Sequence, residues 1–277
     1  MRDILQQIVD KKREEVDALK RAQPIERLRE QTRQLAPPRD FTAALRGARP
    51  RGTGRLGRGV NIIAEIKLRS PSKGVFKWHG DVARQAAAYE LGGAAAISVV
   101  TDGPFFGGST DLLRPVKAAV ERPVLQKEFL LEPWQVVYAR ALGADACLLI
   151  AAVLDGERLA EMLATAREVG IHTLVEVVDA AEFERASAAG AVVIGVNNRD
   201  LKTFEVDPRR TERLIPLYRE DQVCIAESGI HTAQDVSRLL EAGADGFLVG
   251  EALMTAPNPS AHLHALRGMP VREANPS

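Results

Sequence analysis

The chain of 277 residues is long for one ordinary domain, yet it has the size at which α/β barrels occur as a single unit. Its 37 basic and 37 acidic residues cancel, which removes any global electrostatic case for binding nucleic acid or an anionic membrane, and 45% apolar content is ample for a core. No apolar run approaches the roughly 18 to 20 residues that span a bilayer, and the Met-Arg-Asp-Ile-Leu start lacks a signal-peptide core; a cytoplasmic protein of small-molecule chemistry is expected.

Residues 2 to 46 carry helical periodicity, with Ile4, Leu5, Ile8 and Val9 on one stripe that Val16 and Leu19 continue among alternating charges. Pro24 is expected to open a second short helix and Pro37-Pro38 to close the region, so residues 1–48 read as an appended helical extension. The run from Arg49 to Gly59 is basic and Gly-rich, but it matches no P-loop spacing and precedes a strand, which predicts a flexible, solvated connection.

From Val60 a unit repeats: an amphipathic helix ends on glycine and an apolar strand follows at once. Strands are predicted at Val60 to Ile66, Ala96 to Val100, Pro123 to Gln126, Ala146 to Ile150, His172 to Val177, Val192 to Val196, Gln222 to Ala226 and Gly246 to Val249. Eight apolar strands spaced by helices point to a parallel (β/α)8 TIM barrel over residues 60–265, and 1–277 reads as one domain with residues 269–277 as a disordered tail. A doubly wound open sheet is the alternative, although no Gly-x-Gly-x-x-Gly turn follows any strand. Cys147 and Cys224 sit inside apolar strand runs and read as packing; the five histidines form no HExxH pair, and no metal is expected.

The strand ends are where the pattern becomes unusual. Side chains alternate along a strand, so Glu65 and Lys67 project together, opposite Ala64 and Ile66. The same alternation lets Glu65, Lys67, Lys127, Glu176, Asn197, Arg199 and Glu227 aim at one carboxyl-terminal mouth, where barrel enzymes keep their chemistry. Any one of them has a structural reading as a salt bridge closing the barrel top. So many polar strand ends do not, because well-packed apolar groups would stabilise as well or better. After the last two strands, Ser228-Gly229 and Gly250 precede helices, and backbone N–H groups at such places suit a phosphate; an ordinary left-handed turn is the plainer reading of either alone.

The chain resembles indole-3-glycerol phosphate synthase over nearly its whole length. The segments that carry the likeness are Ile63-Ala-Glu-Ile-Lys67, Ser70-Pro-Ser-Lys-Gly74, Phe106-Gly-Gly-Ser109, Lys127-Glu-Phe129, Gly143-Ala-Asp-Ala-Cys-Leu-Leu-Ile150 and Leu174-Val-Glu-Val177, followed by Gly195-Val-Asn-Asn-Arg-Asp-Leu201, Glu227-Ser-Gly-Ile230 and Leu248-Val-Gly-Glu-Ala-Leu-Met254. The resemblance implies a barrel with N-terminal helices and one substrate, 1-(2-carboxyphenylamino)-1-deoxyribulose 5-phosphate. That substrate is closed, decarboxylated and dehydrated to an indole in tryptophan biosynthesis, without a cofactor.

By the same resemblance Lys127 is the proton donor, Lys67 stabilises the substrate carboxylate or a later proton transfer, Glu176 stabilises the iminium formed on closure, and Glu65 is the candidate base for rearomatisation. Asn197, Arg199 and Glu227 orient hydroxyls and charges. Ser70, Ser228, Gly229, Gly250 and Glu251 belong to the substrate and phosphate site, and Phe106, Phe129 and Leu148 to a slot for the aromatic ring. The chain departs from many relatives at Glu128, where aspartate is common, and at Leu68, where a basic or small residue is common; both flank the proposed machinery. Two rivals stay open on the residues alone: a sugar-phosphate isomerase or Schiff-base aldolase using Lys127, and a noncatalytic phosphometabolite-binding barrel. The expected partner is the phosphorylated substrate, with neither nucleic acid nor membrane; the expected assembly is a monomer, with a homodimer as the alternative.

Overall fold

The computed structural model describes residues 4–46, 60–71, 73–76, 80–200 and 203–269; the Arg/Gly connection 49–59 and the tail 270–277 lie outside the described residues. Three helices come first: α1 (Ile4–Ala22), α2 (Ile25–Gln34) and α3 (Phe41–Arg46). Eight strands then close into a parallel barrel: β1 (Asn61–Ile66), β2 (Ala96–Val100), β3 (Val124–Lys127), β4 (Ala146–Ile150), β5 (His172–Val177), β6 (Val193–Asn197), β7 (Val223–Glu227) and β8 (Gly246–Val249). Each falls within one residue of its predicted bounds. Closure is made where β1 pairs in register with both β2 and β8, Ile63 lying opposite Ala96 and Leu248, so the barrel leaves no open edge.

The helices between strands are α4 (Val82–Leu91), α5 (Leu113–Ala119), α6 (Pro133–Ala141), α7 (Gly156–Val169), α8 (Ala180–Ala188), α9 (Arg210–Leu214) and α10 (Ala233–Ala242), and α11 (Glu251–Met254) and α12 (Pro259–Leu266) follow β8. Strand periodicity of two sorts the apolar residues into layers. Ile62, Ala64 and Ile66 of β1 join the core between sheet and helices, whereas Ile63 joins Leu125, Leu148, Leu174 and Ile225 inside the barrel. No helix among the described residues is long and apolar enough to cross a membrane.

The N-terminal helices do more than the appended extension that the sequence suggests. Leu5 and Ile8 of α1 reach the rim and pack in one cluster with Phe129 and Leu148, while Val16, farther along, packs with Leu28, Trp134 and Val137 against α6. Pro37-Pro38 does not close the region. The diproline bars helix only at its own and the preceding positions, and Asp40 restarts one by accepting from Ala43 N–H at 2.8 Å. The resulting α3 buries Phe41 and Leu45 completely in the lumen cluster, and Leu45 C=O accepts from Asn61 Nδ2 at 2.8 Å, so α3 stoppers the amino-terminal end of the barrel.

The repeated Gly-Ala-Asp junctions acquire a reason at that same end. Asp145 Oδ2 accepts from Val124 N–H at 2.8 Å and Asp245 Oδ2 from Cys224 N–H at 2.8 Å, each carboxylate binding the start of the preceding strand. Asp145 also accepts from Arg39 N–H at 2.7 Å and pairs with Lys117, tying strand, helix and N-terminal segment together. Asp145→Ala would leave the buried Val124 N–H and the part-buried Arg39 N–H without an acceptor, and we expect urea unfolding to show a loss on the order of 2 to 3 kcal/mol. Unchanged stability would contradict this role.

Candidate active site

Four strand ends bring opposed charges together at the carboxyl-terminal mouth. From β3, Lys127 Nζ lies 3.0 Å from Glu176 Oε2 of β5 and 3.3 Å from Glu227 Oε2 of β7. From β1, Glu65 Oε1 lies 2.7 Å from Nζ of Lys67, the next residue outward on that face. Asn197, at the end of β6, donates through Nδ2 to Glu176 Oε1 at 2.9 Å, which fixes the glutamate that Lys127 contacts. Glu65, Glu176 and Glu227 are all at least 98% buried. Among the described residues no group of His, Cys, Asp or Glu side chains is arranged to hold a metal ion.

Three carboxylates share two ammonium groups here, and the titration behaviour follows from that imbalance. Burial alone would lower the lysine; Glu176, Glu227 and Glu65 outweigh it and raise Lys127 above its ordinary value. Burial also pushes on Glu65, yet Lys67 and Lys127 hold this carboxyl below the usual range. Glu227 goes the other way: burial, reinforced by Glu176 and Glu65, overcomes Lys127 and pushes it up to about 8. A surplus carboxylate takes a proton, and Glu227 is the one. Its Oε1 is buried with no hydrogen-bond partner and packs against Gly195, where a Cβ would stand 2.0 Å from that oxygen. Gly250 gives Glu65 room in the same manner, a Cβ there meeting Glu65 Oε1 at 2.5 Å.

A second ring of charge sits farther out. Glu251 Oε1 is 3.1 Å from Lys73 Nζ, and its Oε2 is 3.9 Å from Arg199 Nη2. Arg199 is therefore turned toward the rim rather than into the Lys127 cluster; its guanidinium also donates to Phe204 C=O at 3.1 Å. Beside this ring the chain leaves β7 through two successive left-handed residues, Ser228 (φ 63°) and Gly229 (φ 71°). A serine held there is strained by roughly 1 to 3 kcal/mol, and such strain collects at ligand-binding turns. Asn198, pointing outward from the end of β6, braces the turn by donating to Ser228 C=O at 3.1 Å.

An apolar wall completes the mouth. The rings of Phe106 and Phe129 lie with centroids 6.0 Å apart and tilted by 36°, and Leu148 lines the cavity beneath them. The cavity is lined by Glu65, Lys67, Ser70, Phe106, Lys127, Phe129, Leu148, Glu176, Asn197, Arg199, Glu227, Ser228, Gly229, Gly250 and Glu251, so every position selected from the sequence meets there. It is also lined by Ile150, Phe204, Ile230 and His231, which the sequence reading left aside. Ile150 was legible as the last residue of a strand; Phe204 carried no signal, since its side chain reaches the mouth only through a left-handed turn (φ 61°). Of the two departures, Glu128 also lines the cavity but turns its carboxylate away from Lys127 to Lys12, whose Nζ lies 3.0 Å from its Oε1, and Leu68 supports the small hairpin of Arg69–Ser70 and Gly74–Val75, its C=O accepting from Phe76 N–H at 3.0 Å.

A family model described as indole-3-glycerol phosphate synthase matches residues 5–266. The chain belongs to that family. Among curated relatives bearing the family's name, that of Syntrophobacter fumaroxidans is 45% identical over 268 residues, covering 97% of this chain and 98% of the relative. That of Chlorobium luteolum is 46% identical, covering 91% and 93%, and that of Laribacter hongkongensis 46%, covering 95% and 98%. A solved structure of N-acetylmannosamine-6-phosphate 2-epimerase from Clostridium perfringens superposes with a TM-score of 0.56 at 17% identity, covering 69% of this chain and 86% of that one, a likeness of fold alone.

The charge arithmetic has a measurable consequence. A carboxyl whose folded pKa is raised binds protons more tightly folded than unfolded, so its contribution is full below the unfolded value of 4.5 and is lost as pH rises through about 8. We expect melting temperature to fall for the unaltered protein between these limits and Glu227→Gln to remove part of that fall, becoming relatively more stable toward pH 8. Parallel pH profiles for the two proteins would contradict a protonated Glu227.

Proposed function

We propose that this chain converts 1-(2-carboxyphenylamino)-1-deoxyribulose 5-phosphate to indole-3-glycerol phosphate by ring closure, decarboxylation and dehydration, with Lys127 as proton donor. The observation that carries the assignment of roles is the Lys127 ammonium bracketed by Glu176 and Glu227 at 3.0 and 3.3 Å. A general acid must hold its proton before the step, and the opposed charge beside Lys127, that of Glu176 first and Glu65 with it, keeps it there. Donation remains downhill although the pKa is raised, because the alkoxide that develops on the ribulose carbonyl is a far stronger base than an amine.

Glu176, oriented by Asn197, is then beside the cation that forms as the ring closes, and preorganised charge of this kind needs no rearrangement in the transition state. Glu65 stays ionised, as a base for rearomatisation must, and Lys67 beside it suits the substrate carboxylate. The ring lies between Phe106, Phe129 and Leu148. The phosphate is held by Ser70, Ser228-Gly229 and Gly250, with Lys73 and Arg199 turning from Glu251 toward it. A Schiff-base mechanism is disfavoured by the same pairing, since it needs a free amine at Lys127. A monomer suffices, because a single chain supplies every one of these residues; a cytoplasmic location belongs to the same proposal, resting on the biosynthetic role.

Purified protein given the carboxyphenylamino substrate should develop indole fluorescence without an added cofactor, and no fluorescence would overturn the assignment. Lys127→Met should lower turnover by about 10²-fold or more with the far-UV circular dichroism of the barrel retained, the scale of losing a general acid. A variant keeping most of its turnover would remove Lys127 from that role.

A further inference from the structure

On the far side of β3 from the catalytic lysine lies a second buried lysine that the chemistry above does not use. Lys12, on α1, is 5% exposed. Its Nζ stands 2.7 Å from Glu15 Oε2, 3.0 Å from Asp102 Oδ1 and 3.0 Å from Glu128 Oε1. Burial opposes the charge, but Glu128 and Asp102 outweigh it and hold Lys12 as an ammonium. A lysine inserted among three carboxylates is a costly way to pin a helix, because apolar packing would do as well at lower desolvation cost.

What the two far carboxylates hold gives the arrangement its sense. Asp102, just past β2, accepts through Oδ2 from Phe105 N–H at 2.9 Å and Phe106 N–H at 3.2 Å, fixing the loop that carries Phe106. Glu128 accepts through Oε1 from Phe129 N–H at 2.8 Å and through Oε2 from Thr101 Oγ1 at 2.9 Å, and Thr101 in turn accepts from Gln126 Nε2 at 3.1 Å. One carboxylate sets Phe106 and the other Phe129. Both face the Lys12 ammonium, and without it two buried anions, one bonded to each ring's segment, would be left facing each other.

We propose that Lys12 is a positioning residue for the aromatic slot: by neutralising Asp102 and Glu128 together it holds the Phe106 and Phe129 segments at the separation that accepts the substrate's carboxyphenyl ring. The inference rests on the reading of Phe106 and Phe129 as that slot. It adds a charge to the packing by which the N-terminal helix already meets Phe129 and Leu148, and it gives the glutamate at 128 a role of its own.

The test uses the full-length enzyme with anthranilate and inorganic phosphate as separate competitive probes of the slot and the phosphate end. Lys12→Met should raise KM and the anthranilate inhibition constant by about 10- to 100-fold, the scale of misplacing a binding wall by an ångström, with phosphate inhibition and kcat changed less than about 2-fold. Adding Glu128→Gln to Lys12→Met removes the repulsion and should recover most of the lost anthranilate affinity, a non-additive pair. Lys12→Arg keeps the charge and should behave nearly as the unaltered enzyme, and it carries the test should Lys12→Met not fold. Unchanged anthranilate inhibition in Lys12→Met, or an equal loss for phosphate, would overturn the proposal, as would a failure of Lys12→Arg to preserve anthranilate affinity. If anthranilate fails to compete in the unaltered enzyme, the slot reading falls first and the proposal with it.

Discussion

One ammonium, that of Lys127, lies among buried carboxylates carried by three other strands, and the architecture of the site follows from keeping that arrangement intact. Charges of this density are costly to bury, and they persist only where the backbone gives them no alternative. A closed barrel supplies that constraint. Register fixes Glu176 opposite Gly195, and Asn197 opposite Glu227, so the residue beside each carboxylate is set by hydrogen bonds of the sheet and not by side-chain choice. Small residues then decide which carboxylate fits where: Gly195 under Glu227 and Gly250 under Glu65 open space that a methyl group would fill.

The end of β3 works on two sides at once. Lys127 turns into the lumen to meet Glu176 and Glu227, and Glu128 turns outward to meet Lys12. Both lysines stand among three carboxylates, and one peptide bond separates the two clusters. In each, burial drives one carboxyl upward, Glu227 on the inside and Glu128 on the outside, because the carboxylates outnumber the cations beside them. The N-terminal helix and the catalytic lysine are thereby linked by electrostatics across the strand, while Leu5 and Ile8 link α1 to Phe129 and Leu148 by packing.

Most of the barrel was legible because its signals are local. Glycine-ended helices followed by apolar strands mark each unit, and charged residues at strand ends have nowhere to go in a parallel barrel except its mouth. What was not legible depends on contacts between distant residues. Lys12 sits in Asp10-Lys-Lys-Arg-Glu-Glu15, which reads as a solvated face, and only the arrival of Asp102 and Glu128 shows that it is buried. The diproline at 37–38 reads as a terminus, but a capped turn restarts helix after it and stoppers the barrel. Arg199 follows the inward parity of its strand in sequence, yet it lies two residues past the end of β6 and turns to the rim. That Glu227 rather than Glu65 is pushed toward the protonated form is set by the positions of two lysines, both of which act on Glu65 and only one on Glu227, and residue spacing does not convey this.

The account stands on Lys127 being a permanently charged centre in the resting protein. Nitrogen-15 NMR of lysine side chains, with the Lys127 signal identified by its loss in Lys127→Met, reads that state directly. The Nζ signal should stay in the ammonium range as pH is taken to and beyond 10.5, the ordinary value for lysine. A signal that moves to the free-amine range below that pH would mean the carboxylates do not hold the charge, and the arrangement described here would lose its centre.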